Sequence, residues 1–92
     1  MEEGAGWQRL DHWLWCARFV RHRADCAGLL AAGAVRINRQ PAEKTHARLR
    51  PGDVLTLALR GRVLVVRVAA LSARRGRAAE AALLYEERPE GG

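Results

Sequence analysis

The residues with the most chemical content stand in one short stretch. Asp11, Trp15 and Arg18 recur at i, i+4 and i+7, so on a helix they share one flank. An indole plane beside a fixed cation can stack an unpaired base and hold a phosphate. The same spacing also suits a plainer role, in which Trp15 widens an apolar stripe and joins the core. Trp13 is assigned to the core, and Trp7, in the lead before the periodic residues, is unplaced. The run Arg18, Arg21, His22, Arg23 then gathers cations at one corner, and Arg36, Lys44, His46 and Arg48 can extend the patch. Only Asp11, Asp25 and Glu43 interleave, too few to neutralise the surface by pairing within helices. A phosphate-binding surface is therefore expected from Arg9, His12, Trp15, Arg18, Arg21, Arg23, Arg36, Lys44 and Arg48, with Arg74 and Arg75 added by a later basic loop. Phosphate contacts fix position without reading sequence, so recognition should follow RNA shape as much as base identity.

Two other chemistries have to be weighed. His12 and Cys16 are four apart, as are His22 and Cys26, which could in principle give zinc four ligands. His22, however, falls in or beside a turn, the familiar paired-cysteine spacing is absent, and free cysteines are common in helix contacts. No metal and no cofactor are expected. For catalysis there is no glycine-rich phosphate loop and no nucleophile elbow. Glu80, Glu86 and Glu87 sit on or near the last predicted helix as solvated residues, and nothing forms a carboxylate pair or a nucleophile with its base. The expectation is a binding protein, not an enzyme.

These side chains need elements to position them. Leu10, Trp13, Leu14 and Ala17 give the stripe of an amphipathic helix, with Asp11 in its first turn. A second helix is predicted over 24–32, with Ala27, Leu30 and Ala31 on its apolar face and Gly33 to end it. The short linker 19–23 makes the two a hairpin. From Ala34 the period changes to two: Val35, Arg36 and Ile37 form a strand, and residues 38–41 a turn. Pro51-Gly52-Asp53 is a turn, 54–59 and 62–69 are strands, and Arg60-Gly61 reverses the chain between them. Residues 72–76 form a basic loop and 77–87 an alanine-rich final helix. The expected class is α+β, with residues 1–8 a disordered lead, 9–87 one domain and 88–92 a frayed tail.

Composition agrees. The 92 residues carry sixteen Lys and Arg against ten Asp and Glu, for a formal charge of +6. Lys44 is the single lysine; arginine's planar fork suits phosphate and stacks on bases. Residues 9–50 hold nine basic and three acidic side chains, so a polyanion belongs on the first half. No apolar run reaches the roughly 20 residues of a membrane span, and the acidic, glycine-rich start lacks the parts of a secretory signal. A cytoplasmic chain with reduced cysteines is expected.

The segment Arg9-Leu10-Asp11-His12-Trp13-Leu14-Trp15-Cys16-Ala17-Arg18-Phe19 closely resembles the opening of the heat-shock protein 15 family, whose RNA-binding domain was first defined in ribosomal protein S4. The likeness continues through Arg21-His22-Arg23, Gly33-Ala34-Val35-Arg36-Ile37-Asn38, Pro51-Gly52-Asp53-Val54-Leu55-Thr56-Leu57, Arg74-Arg75-Gly76 and residues 79–87. It implies an S4-like α-L RNA-binding motif, a helix hairpin on a small, mainly antiparallel sheet, plus a C-terminal helix. It implies binding to ribosomal RNA on the large ribosomal subunit, in particular one holding a nascent chain on transfer RNA after failed translation, in rescue, quality control or recycling. Arg9, Arg18, Arg21, Arg23, Lys44 and Arg74 match family basic positions. His12 stands where lysine is usual, making a fixed charge pH-dependent. Arg39 replaces a usual glycine after Asn38, and Ala24 is a weak helix start. Some members carry a long basic tail after the last helix; here the sequence stops at Gly92 with an acidic ending, and a lower affinity is expected. Other readings are a stand-alone module that recruits an RNA-modifying enzyme, and a general nucleic-acid binder that also accepts DNA. Nothing in the sequence demands a dimer, so a monomer without membrane partners is expected.

Overall fold

Leu10, Trp13 and Leu14 are fully buried and Ala17 nearly so, and the helix that carries them, α1, spans Leu10–Cys16. The computed structural model describes residues 6–88. A two-residue strand, β1 (Gln8–Arg9), leads into α1 and pairs antiparallel with β4 (Arg48–Leu49). Most of the predicted lead lies outside the described residues, but Gln8 does not: it is buried, and its amide both donates to the Ser72 carbonyl (2.6 Å) and accepts from the Ser72 N–H (3.1 Å).

The second helix, α2, runs over Asp25–Ala31. Its inner face differs from the expected one. Cys26 is buried and Leu29 and Leu30 are half-buried, whereas Ala27 and Ala31 are exposed. The larger side chains take the inward positions because they bury more apolar surface per residue. Both helices end in a Schellman motif. After α2 the Gly33 N–H bonds to the Leu30 carbonyl and Ala34 to Leu29, with Gly33 at φ +71°. After α1 the Arg18 N–H bonds to Trp15 and Phe19 to Leu14, but the left-handed position is filled by Arg18, at φ +66°.

A five-stranded antiparallel sheet supplies the other layer, in the order β3 (Gln40–Pro41), β2 (Val35–Ile37), β5 (Val54–Leu59), β6 (Arg62–Val68), β7 (Tyr85–Arg88). The register sets Leu57 against Val35 and Leu55 against Val66. These four and Val68 are buried on the face that meets α1. Each fully buried aliphatic side chain stabilises the fold by roughly 1.5–3 kcal/mol. The Asn38-Arg39 and Arg60-Gly61 reversals have positive φ at both residues, the geometry of the tight hairpin turns whose twist matches that of the strands. Asn38 also ties its turn to the next strand, accepting from the Val54 N–H at 2.9 Å and donating to Asp53 at 3.2 Å.

The predicted final helix is present but ends earlier than expected. Only Ala78–Ala81 is α-helical (α3), followed by one 3₁₀ turn, Ala82–Leu84, and then by β7. Helical propensity governs the alanines, but β6 presents an open edge that Tyr85–Arg88 satisfies. Arg67 stands opposite Glu86 and pairs with it at 3.2 Å. Tyr85 reaches Phe19 with ring centroids 4.7 Å apart, and Phe19 in turn lies 6.0 Å from Trp13.

Candidate nucleic-acid interface

Two clusters of expected binding residues form on and around α1. The first surrounds its N-terminus. The Leu10 and Asp11 N–H groups bond to the carbonyls of Ala47 and Thr45 (2.8 and 3.0 Å), which draws the segment holding Lys44 and Arg48 against the helix start. Arg9 and Arg48 stand opposite each other in the strand pair, a like-charge placement relieved by separate partners. Arg9 turns to the Asp11 carboxylate, with two hydrogen bonds of 3.1 Å. Arg48 lies over the Trp7 ring, its guanidinium carbon 4.4 Å from the centroid. Arg23, from the helix–helix loop, also reaches Asp11, at 3.4 Å.

Asp11 therefore organises this corner. Burial raises the pKa of its carboxyl, but hydrogen bonds from Arg9 and Arg23, the Arg9 charge and the His12 N–H outweigh burial and bring it below its usual value of 3.8. Three acidic residues seemed too few to matter, yet this single carboxylate holds two of the expected cationic contacts in place while offsetting part of their charge.

The second cluster lies at the other end of α1. Arg18 donates to the Gly76 carbonyl at 2.8 Å, and Arg75 donates to the Trp15 carbonyl at 3.0 Å. Arg18, Arg74, Arg75 and Arg77 line one open cleft of about 770 Å³, with Gly76, Ala78 and Glu80. Glu80 accepts from the Arg77 N–H at 2.9 Å and folds against Gly76, where any Cβ would collide with its carboxylate. A side chain at position 76 would therefore have to displace that carboxylate.

Trp15 joins the two clusters. It packs in part against the core, so it does widen the apolar stripe, yet it remains half-buried. Its ring lies 5.7 Å from the Arg75 guanidinium and 6.0 Å from the His12 ring. Arg21 is exposed in the helix–helix loop, and Arg36 is exposed on β2 opposite Thr56 and Pro41. Among the described residues no side-chain hydrogen bond or ion pair connects Arg36 to either cluster. Sequence reasoning missed Trp7 and Arg77. Arg77 was open to discovery as the next cation after Arg74-Arg75-Gly76, whereas Trp7 precedes all periodicity and carried no signal.

The cysteines are structural. Cys16 and Cys26 are fully buried, and the Cys16 thiol donates to the Ser72 carbonyl at 3.5 Å. Burial pushes both thiols up, that of Cys26 to about 11 with the Asp11 charge adding to the effect. Among the described residues no three His, Cys, Asp or Glu side chains gather as a metal site, and no helix is long and apolar enough to cross a membrane.

The geometry is that of an S4-type domain: residues 8–55 match the S4 domain family, and they include α1, α2 and the strand segment that carries Lys44 and Arg48. Beyond the domain, the chain is 38% identical over 79 residues to the heat shock protein 15 homolog of Haemophilus influenzae, covering 86% of this chain and 60% of that one. It is 39% identical over 82 residues to heat shock protein 15 of Escherichia coli K12, covering 89% and 61% respectively. The trimeric structure of Vibrio cholerae heat shock protein 15 superposes with a TM-score of 0.82 at 34% identity, covering 87% of this chain and 80% of that one. The chain belongs to the heat shock protein 15 family of S4-domain proteins. It spans about three fifths of the length of these curated relatives.

Proposed function

We propose that this chain is an RNA-binding protein that docks on the large ribosomal subunit through the face of α1, the helix–helix loop and residues 74–77. The observation that carries the reading is the cleft in which four arginines from two distant parts of the chain meet a single carboxylate. Two of these guanidinium groups, those of Arg18 and Arg75, are fixed by backbone carbonyls and are ready to bind phosphate with little further loss of side-chain freedom. The acids of the C-terminal strand support the same reading. Glu86 and Glu87 pair with Arg67 and Arg62 on the sheet, leaving the α1 face basic. The physiological target we assign is a subunit whose nascent chain remains attached to transfer RNA, in rescue or recycling. A single copy carries the whole face and acts as the binding unit.

Sedimentation of the protein with cell lysate through a sucrose gradient at physiological salt tests this. Comigration with free large subunits is expected, and retention at the top of the gradient would overturn the ribosomal assignment. Arg18 and Arg21 are both exposed, so Arg18→Glu with Arg21→Glu should keep the fold and weaken RNA binding. Unchanged affinity would mean that another face is used.

A further inference from the structure

The two arginine clusters are bridged by aromatic rings. Trp7, half-buried on the edge beside β1, lines a cleft of about 310 Å³ with His12, Leu71 and Ser72. His12, one wall of that cleft, is also the ring neighbour of Trp15 at 6.0 Å. Trp15 is followed by Arg75, 5.7 Å from its ring, and Arg75 opens onto the cleft shared with Arg18, Arg74 and Arg77. At the opposite end Arg48 lies against Trp7. The order along this face is therefore cation, indole, imidazole, indole and a group of cations.

A duplex shows its phosphates but hides the faces of its bases, so it can use the arginines and not the rings. An unpaired strand can use both. Its bases stack on the aromatic planes and its backbone follows the charges, with little dependence on sequence because every base has a π-face. We infer that the face from Trp7 to Arg77 is a track for an unpaired stretch of RNA, with bases on Trp7 and Trp15 and phosphate in the arginine cleft. This deepens the RNA-binding reading and rests on it. Glu80 stands in the cleft as the one opposing charge and is held to the Arg77 backbone, so the four guanidinium groups outnumber it.

The test compares a blunt RNA duplex with the same duplex carrying a single-stranded adenosine extension. The extension should tighten binding at least about fivefold, the lower end for one base stacked on an aromatic ring. It should also quench tryptophan emission, with the loss falling on Trp7 and Trp15, because Trp13 is sealed in the core. Trp7→Leu should lower the ratio of extended-duplex to blunt-duplex affinity by about fivefold, the share of one stacked base, with the remainder held by Trp15, whereas Trp7→Phe, which retains a ring, should keep most of that ratio. Equal affinity of the wild-type chain for both duplexes, or absence of quenching, would overturn the track while leaving RNA binding intact. A Trp7→Leu loss shared equally by both probes would reduce Trp7 to a structural role and overturn it too. If the wild-type chain binds neither probe at low salt, the RNA-binding reading falls and the track falls with it.

Discussion

Arg18 occupies a backbone conformation that suits glycine, and this allows its contribution to folding to be separated from its contribution to binding. At φ +66° it fills the left-handed position of the motif that ends α1. A residue with a Cβ costs about 1–2 kcal/mol there, which glycine avoids. Glycine also loosens the unfolded chain, offsetting about 0.4–1 kcal/mol. Arg18→Gly should thus exceed Arg18→Ala by about 1 kcal/mol, since both lose the guanidinium and differ only at the backbone. Against the native chain, both also lose the exposed hydrogen bond to the Gly76 carbonyl, at the lower end of about 0.5–1.5 kcal/mol. Arg18→Gly is then as stable as the native chain or slightly more so. Urea unfolding followed by tryptophan fluorescence reads the difference, which corresponds to about 4–8 °C in Tm for a domain of this size. In RNA binding the two variants should lose equally, and each should flatten the log–log salt dependence by about 0.7–0.9, the contribution of one phosphate contact. If Arg18→Gly is no more stable than Arg18→Ala, the left-handed strain is not real. If both keep the native salt slope, Arg18 touches no phosphate.

Other perturbations follow from the same geometry. Asp11→Asn should cost about 1–2 kcal/mol at neutral pH, because it removes charged hydrogen bonds to two half-exposed arginines. Since folding lowers the Asp11 pKa, its stabilisation is complete above 3.8 and disappears as pH falls through the lower folded value. The gap between the variants in acid titrations should therefore close below that point. Arg39→Gly should stabilise by about 1 kcal/mol, because φ +71° in the Asn38-Arg39 turn suits glycine, and a rise in Tm reports it. The Cys26 thiol shifts the other way. Its pKa is raised on folding from 9.0 to about 11, so its stabilisation is present below 9 and lost as pH rises through that window. Stability measured across alkaline pH should fall there for the native chain and less for Cys26→Ala, compared as slopes.

Local periodicity made α1, the hairpin turns and the long strands legible. Leu10, Trp13, Leu14 and Ala17 repeat at helical spacing, and Leu55 and Leu57 alternate on the inner side of β5, as the buried set confirms. What escaped depends on partners distant in the chain. An alanine-rich run ending in Leu-Tyr-Glu-Glu reads as a helix until the open edge of β6 and the cation on Arg67 are known to wait for it. Gln8 is a polar residue in an apparent lead, and nothing near it announces a partner 64 residues away. At the candidate interface, charge alone located Arg18, Arg74 and Arg75, but the bond from Arg75 to the Trp15 carbonyl that unites the two regions has no local signature. Neither does the clasp of Asp11 on Arg23 across the helix–helix loop.

The links between the first helix and the segment near residue 70 also set the order in which this surface can come into existence. Gln8 clasps Ser72 through both ends of its amide, the Trp13 indole N–H is held by the Ala70 carbonyl at 2.9 Å, and Arg18 rests on Gly76. Each joins residues more than fifty positions apart. During synthesis, α1 leaves the ribosome long before any of these anchors. A nascent chain stopped ahead of residue 70 therefore has neither the seat for Trp13 nor the second arginine cluster. The first cluster can form from residues 9–48 alone, whereas the complete two-cluster surface exists only once residues 70–77 are in place.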